Sequence, residues 1–221
     1  MSIQLSPLIK KRILDESIPE RRLVVTPILD PPRQLHFEEN SASIDLRLGS
    51  RFAVARRGKT AYIDTNKADF AGEFASLQDE YYVPVGKYFV LHPNHFVLGE
   101  TLEYVRLPVD LAAYVVTRSS WGRHGLAIAT AIGIHPLFCG VITLELRNMA
   151  DIPIYLYPGK CVLQLFFHLA EGFDPSLSPD SSAYRGATGP GIGTSAFDAD
   201  EVERIKRFPN YARYPLRSSH P

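Results

Sequence analysis

Residues 81–117 read YYVPVGKYFVLHPNHFVLGETLEYVRLPVDLAAYVVT. Aromatic and β-branched residues fall here into short runs, Tyr81–Val85, Tyr88–Leu91, Phe96–Glu103 and Ala112–Thr117, each bounded by proline, glycine or asparagine. Runs of about four to eight such residues between turn formers read as β-strands. The series resumes downstream in Leu126–Thr130, Gly140–Leu146, Ile154–Tyr157 and Val162–His168, after the polar interruption Ser119–His124. Upstream, Ile44, Leu46 and Leu48 alternate with Asp45 and Arg47, the period of two of a half-buried strand. Phe52 and Val54, then Tyr62 and Ile63, suggest further strands around the Arg57–Gly58 turn. No segment between these strands offers the roughly ten to fifteen residues of helical periodicity that a βαβ unit needs. The spacing predicts a mainly β chain, a barrel or sandwich.

The flanks read differently. Ser6–Pro7 opens a short helix over Ser6–Ser17, with Leu8, Ile9, Ile13 and Leu14 on one face. Pro27, Pro31 and Pro32 break the next stretch into extended pieces, and residues 64–80 are polar and expected to be irregular. After Glu171 the composition shifts to Ser, Pro, Asp and Gly, and Phe197–Phe208 carries Val202, Ile205 and Phe208 at the spacing of a closing helix. The reading divides the chain into a β domain with its N-terminal helix, 1–171, and a C-terminal arm and tail, 172–221.

The 221 residues include 24 Lys+Arg and 24 Asp+Glu, a formal charge of zero. No global basic field attracts nucleic acid or an anionic membrane. Neither is therefore an expected partner, and an anionic ligand must be held by a local cluster of donors. Hydrophobic residues at 45% and charged residues at 22% exclude a mainly disordered chain, a collagen-like fibre and a coiled-coil rod. The apolar runs fall far short of the ~20 residues that span a bilayer. Met1–Arg12 lacks an apolar core followed by a small-residue cleavage site, so a cytoplasmic, reducing location is expected. The two cysteines, Cys139 and Cys161, match no zinc spacing. His36-Phe37-Glu38 has the form H-x-E, but the P-C-x-x-C half of the zinc-deaminase signature is absent.

Four places bear chemistry. Arg118-Ser119-Ser120-Trp121-Gly122-Arg123 puts two guanidinium groups and two hydroxyls at the end of an apolar strand, donors suited to phosphate oxygens. A solvated turn with a serine cap explains the same residues. In Val141-Ile142-Thr143-Leu144-Glu145-Leu146, alternation puts Val141, Thr143 and Glu145 on one face. Glu145 then either faces solvent or lines a site where burial raises its pKa and suits it to acid–base work. Asp45 reads as a strand-end carboxylate paired with a neighbouring arginine. His124 and His135-Pro136 read as structural. G-x-S-x-G does not occur, and the glycine-rich Gly186–Gly193 lacks the Lys-Ser/Thr of a P-loop.

From about Ile9 to Gly193 these segments, in order, resemble the dCTP deaminase family of the dUTPase-like superfamily. The matching stretches are Ser43–Gly49, Leu91-His92-Pro93, Gly99–Glu103, Leu107–Leu111, Arg118–Leu126, Gly140–Leu146, Pro158-Gly159 with Gln164-Leu165, and Tyr184-Arg185-Gly186. The resemblance implies a dUTPase-like distorted β-barrel or jelly-roll subunit, a homotrimer with sites between subunits, and an arm folding over the nucleotide. It implies zinc-independent hydrolytic deamination of dCTP to dUTP and ammonia, with Mg²⁺ carried on the triphosphate. Glu145 would activate water, and Arg123 would orient Glu145 or help hold the reacting groups. Arg118, Ser119, Ser120 and Gln164 would hold phosphates, and Ala131 and Ile132 would read the base. Thr143, His135, Tyr184 and Arg185 complete the implied substrate-binding set.

The chain departs from the family pattern at His135, where an acid usually precedes the proline, and at Ala183 and Ala187 in the arm. The first change argues against a further step from dUTP to dUMP. A non-catalytic nucleotide-binding regulatory trimer and a dUTPase-like nucleotide diphosphatase are the alternatives.

Overall fold

The structure, a computed structural model, describes residues 6–36, 41–55, 76–129, 133–172 and 186–190. Contacts divide the chain into two units. The first, Met1–Ala55 with Asp79–Ile192, contains nearly all described residues, and of the second, Arg56–Gln78 with Gly193–Pro221, only Ser76–Gln78 are described.

The strands are β1 (Val24–Thr26), β2 (Ser43–Arg47), β3 (Arg51–Ala55), β4 (Gln78–Tyr82), β5 (Phe89–Leu91), β6 (Phe96–Arg106), β7 (Leu111–Thr117), β8 (Leu126–Ile128), β9 (Gly133–Ile134), β10 (Cys139–Asn148), β11 (Ile154–Leu156) and β12 (Cys161–Leu169). One sheet runs β4-β3-β6-β10-β8, with β1 also paired to β6. A second runs β2-β12-β7-β9, and β5 pairs with β11. Leu48, just past β2, bridges Thr101 of β6 and links the two larger sheets. This is the mainly β architecture the sequence predicts.

Period-two patterning explains how the sheets meet. In β10, Ile142, Leu144 and Leu146 are buried while Val141, Thr143 and Glu145 are half-buried. In β12, Leu163, Leu165 and Phe167 are fully inside and alternate with Gln164, Phe166 and His168. Leu111, Ala113 and Val115 of β7 join them in one apolar cluster. Burial of large aliphatic and aromatic side chains, at about 1.5–3 kcal/mol each, is the main favourable term.

Several expectations are corrected. Helix α1 spans Ser6–Leu14 and ends earlier than Ser17. Only Ile9 and Ile13 of its four apolar residues are buried, while Leu8 and Leu14 are exposed. The buried face is completed by Arg12, which donates to Asp110 Oδ2 at 2.6 Å and to the Arg21 carbonyl at 3.0 Å. That ion pair ties α1 to the β6–β7 turn. Strand β4 covers Gln78–Tyr82 instead of Tyr81–Val85, and the chain turns at Pro84, whose carbonyl accepts from Lys87 N–H at 3.0 Å. Strand β6 runs on to Arg106, its end paired on one side with β1 and on the other with β10. A short helix α2 (Pro31–Gln34), capped by Asp30, interrupts the proline-rich segment. Tyr62, Ile63 and Phe197–Phe208 lie outside the described residues. Among the described residues no helix is long and apolar enough to cross a membrane.

Candidate active site

The Arg118–Arg123 segment is not a simple solvated turn. Ser119–Gly122 form a short helix, α3, with Arg118 at its N-cap position. Three ties fix it to the four-stranded sheet. The Arg118 N–H donates to the Val162 carbonyl at 3.0 Å. The Trp121 Nε1–H donates to the Cys161 carbonyl at 2.8 Å. The Arg118 guanidinium pairs with Asp45 Oδ2 at 2.9 Å. Ser119 and Ser120 are exposed. Gly125, at φ +88°, turns the chain into β8, and a Cβ there would lie 2.7 Å from Ala150 Cβ.

Asp45 pairs not with Arg47, its neighbour along β2, but with Arg118 from beyond the end of β7. Gln164 of β12 faces Asp45 on one side and Val116 on the other. The Arg118 guanidinium therefore crosses β12 on the face that carries Gln164. Asp45 is 4% exposed, and His36 Nε2 stands 3.5 Å from its Oδ1. Arg118, Gln164 and Asp45, scattered in sequence, are thus brought together on one face of one sheet, with Ser119 and Ser120 following Arg118 in α3. Arg47 is taken elsewhere, by Gln34 of α2 and the fully buried Glu103.

Glu145 stands in the other large sheet. It faces Leu98 of β6, and Thr143 faces Glu100. Directly paired residues share a sheet face, so Leu98, Glu100, Thr143 and Glu145 do. Glu145 is half-buried, and loss of water around it pushes its carboxyl above the ordinary value of 4.5. The sequence reading missed Glu100. It is 7% exposed, and burial raises its pKa against the lowering pull of Arg51. It sits diagonally from Glu145, a cross-strand offset of about 7–8 Å. Glutamate within an apolar strand was the available signal.

One chain does not bring Arg123 to Glu145. Met149 N–H bonds the Gly125 carbonyl at one end of β8, and Ala129 N–H bonds the Glu145 carbonyl at the other. Four residues of strand, about 13 Å, separate those two pairings. Arg123 is exposed and, among the described residues, has no carboxylate at ion-pair distance. His135 is exposed, and its carbonyl accepts from Phe138 N–H at 3.2 Å. Ala187 bridges Gly140 in parallel. Ala131, Ile132, Ala183, Tyr184 and Arg185 lie outside the described residues. Among the described residues no group of three or more His, Cys, Asp or Glu side chains is arranged to hold a metal ion.

These sheets, with a hydroxyl–guanidinium segment on one and a half-buried glutamate on the other, form a fold that has a counterpart among solved structures. The 2′-deoxycytidine 5′-triphosphate deaminase of Agrobacterium tumefaciens has it, with a TM-score of 0.55 at 20% identity over 79% of this chain. This chain spans 48% of that one, and at such identity the likeness shows the fold alone. The chain belongs to the dCTP deaminase-like family, whose profile matches residues 8–170. It is 41% identical over 174 residues to the dCTP deaminase, dUMP-forming, of Dictyoglomus turgidum, covering 77% of this chain and 86% of that protein. It is 44% identical over 156 residues to the dCTP deaminase of Halorubrum lacusprofundi, covering 70% and 73%.

Proposed function

We propose that the protein is a zinc-independent dCTP deaminase in which Glu145 is the general base. The observation that carries this reading is a half-buried glutamate, its pKa raised by desolvation, on a central strand of a chain in this family. Ionised Glu145 takes a proton from water as the oxygen attacks C4 of the pyrimidine. The resulting acid returns the proton to the amino group, the C4–N bond breaks, and ammonia leaves. Water and dCTP are consumed, and dUTP and ammonia are formed.

Arg118 uses one donor on Asp45 and keeps others for phosphate oxygens. Ser119, Ser120 and Gln164 supply the remaining polar contacts. Mg²⁺ enters with the triphosphate and is held by its oxygens. Because β8 separates Arg123 from Glu145 within a chain, the reading places each site between subunits of a homotrimer, Glu145 from one and Arg123 from the next.

The relatives named dUMP-forming weigh against a reaction that stops at dUTP. The exposed His135, in place of an acid, weighs for it. Incubation with dCTP and Mg²⁺, following ammonia, dUTP, dUMP and pyrophosphate together, separates these cases. Ammonia with dUTP, abolished in Glu145→Gln, supports the deaminase. Pyrophosphate and dUMP in addition would extend the reaction to the second hydrolysis. Nucleotide binding without ammonia would move the protein to the regulatory class.

A further inference from the structure

A short stretch of the C-terminal region is fastened to the strand that carries Glu145. Gly186 N–H donates to the Cys139 carbonyl at 2.6 Å, and Val141 N–H donates to the Ala187 carbonyl at 2.9 Å. Val141 is paired with Tyr104 of β6 on its other side, so its amide points to the free edge of β10. The edge at Cys139–Val141 is thus closed by residues 186–187, which add to it as a short parallel strand. One residue further on, the guanidinium of Arg51 in β3 donates to the Thr188 carbonyl at 2.9 Å. Gly189 lies against the same group, where an added Cβ would stand 3.2 Å from Arg51 Nη1.

Arg51 is itself held from below. The Gly49–Ser50 turn that leads into Arg51 is tied to Glu100, whose carbonyl accepts from Gly49 N–H at 2.8 Å, and the Arg51 charge bears on the buried Glu100 carboxylate. Glu100 Oε2 is buried without a hydrogen-bond partner, so the carboxylate is not satisfied by packing polar groups around it. The β2–β3 turn closes directly over it: a Cβ on Gly49 would fall 2.6 Å from Glu100 Cγ. A buried carboxylate with one open oxygen interacts strongly with a nearby cation, because little water screens it.

We infer that Arg51 and Glu100 form a bracket that docks residues 186–190 on the edge of β10, making both positioning residues for the strand that presents Thr143 and Glu145. Glu100 supports the turn that leads into Arg51, Arg51 fixes the Thr188 carbonyl, and the docked segment completes the hydrogen bonding of β10 two residues before Thr143. Its kinetic consequence rests on the deaminase reading, whereas the docking itself does not.

The test is amide hydrogen exchange on the full chain, read in peptides covering 139–143 and 186–190, with wild type, Arg51→Ala, Arg51→Lys and Glu100→Gln. Arg51 is exposed, so its substitution leaves the core intact, and an unchanged melting temperature verifies this. Arg51→Ala is expected to speed exchange of the Val141 and Gly186 amides about tenfold, the loss of one charge-assisted hydrogen bond. Arg51→Lys restores part of the protection. Glu100→Gln removes the charge beneath Arg51 while keeping the size of the side chain, and gives a smaller loss at the same amides. In an active wild type, kcat/KM falls in the same order. Unchanged protection of both peptides in a folded Arg51→Ala protein overturns the proposal. Absence of ammonia from wild type would overturn the deaminase reading and leave the exchange result standing.

Discussion

In the proposed reaction Glu145 is the base, and its environment sets the direction of two effects. Burial raises its pKa above the ordinary 4.5, and a base that activates water must be ionised. The acid limb of kcat/KM should therefore lie above the usual carboxylate range, with rate falling as pH drops through the raised value. A pH–rate profile of the wild type checks this, and a limb at or below the ordinary value would remove Glu145 as the base. The same shift has the opposite consequence for stability. A carboxyl whose folded pKa is raised stabilises the fold only while protonated. That contribution is complete below the unfolded value and is lost as pH rises through the folded one. At neutral pH the ionised group is a stability cost, so Glu145→Gln should melt at the same temperature as wild type or higher, with the difference shrinking toward acid pH. A lower melting temperature at neutral pH would mark Glu145 as a structural carboxylate.

At the scale of elements, strands β7, β10 and β12 are legible because burial alternates along them, whereas β2 alternates in residue type but is buried at all five positions instead of half-buried, its Asp45 and Arg47 held by ion pairs. Strands β1 and β9, of three and two residues, are too short to show a period, and pairing with β6 and β7 alone makes them strands. Phosphate-type donors were legible in Arg118–Arg123 as residue types, but the partner of Arg118 was not, since Asp45 comes from a strand far away in sequence. The same holds for the buried triad under α2. Gln34 Nε2 donates to Glu103 Oε1 at 2.9 Å, Arg47 N–H to Glu103 Oε2 at 2.8 Å, and the Arg47 guanidinium to Oε1 at 3.2 Å. Desolvation raises the Glu103 pKa, outweighing the lowering pull of Arg47. Arg47→Met leaves that carboxylate buried and unpaired, and should lower the unfolding free energy by about 3–5 kcal/mol. Arg47→Met with Glu103→Leu should recover much of the loss, since an apolar pair replaces an ionic one. Urea titration of the single and double variants decides it, and no recovery would mean that shape rather than charge is the constraint.

At the scale of the molecule, the question is how many chains one site needs. The Arg118–Arg123 segment and Glu145 belong to different sheets, and β8 holds their connected ends about 13 Å apart. Under the proposed mechanism, a guanidinium that orients the base would come from another copy, and a closed assembly would give every site the same pair of contributors. Arg123→Ala and Glu145→Gln would each be inactive alone. Unfolding the two together in equal amounts and refolding them mixes subunits at random. A site is then intact when an Arg123→Ala subunit supplies Glu145 and a Glu145→Gln subunit supplies Arg123, which gives about a quarter of wild-type activity for independent sites. Ammonia release from the mixed preparation, set against each variant refolded by itself, measures that fraction. If the mixture stays as inactive as its parents while wild type treated in the same way recovers, Arg123 and Glu145 act within one chain, and the chain must then rearrange around β8 to join them.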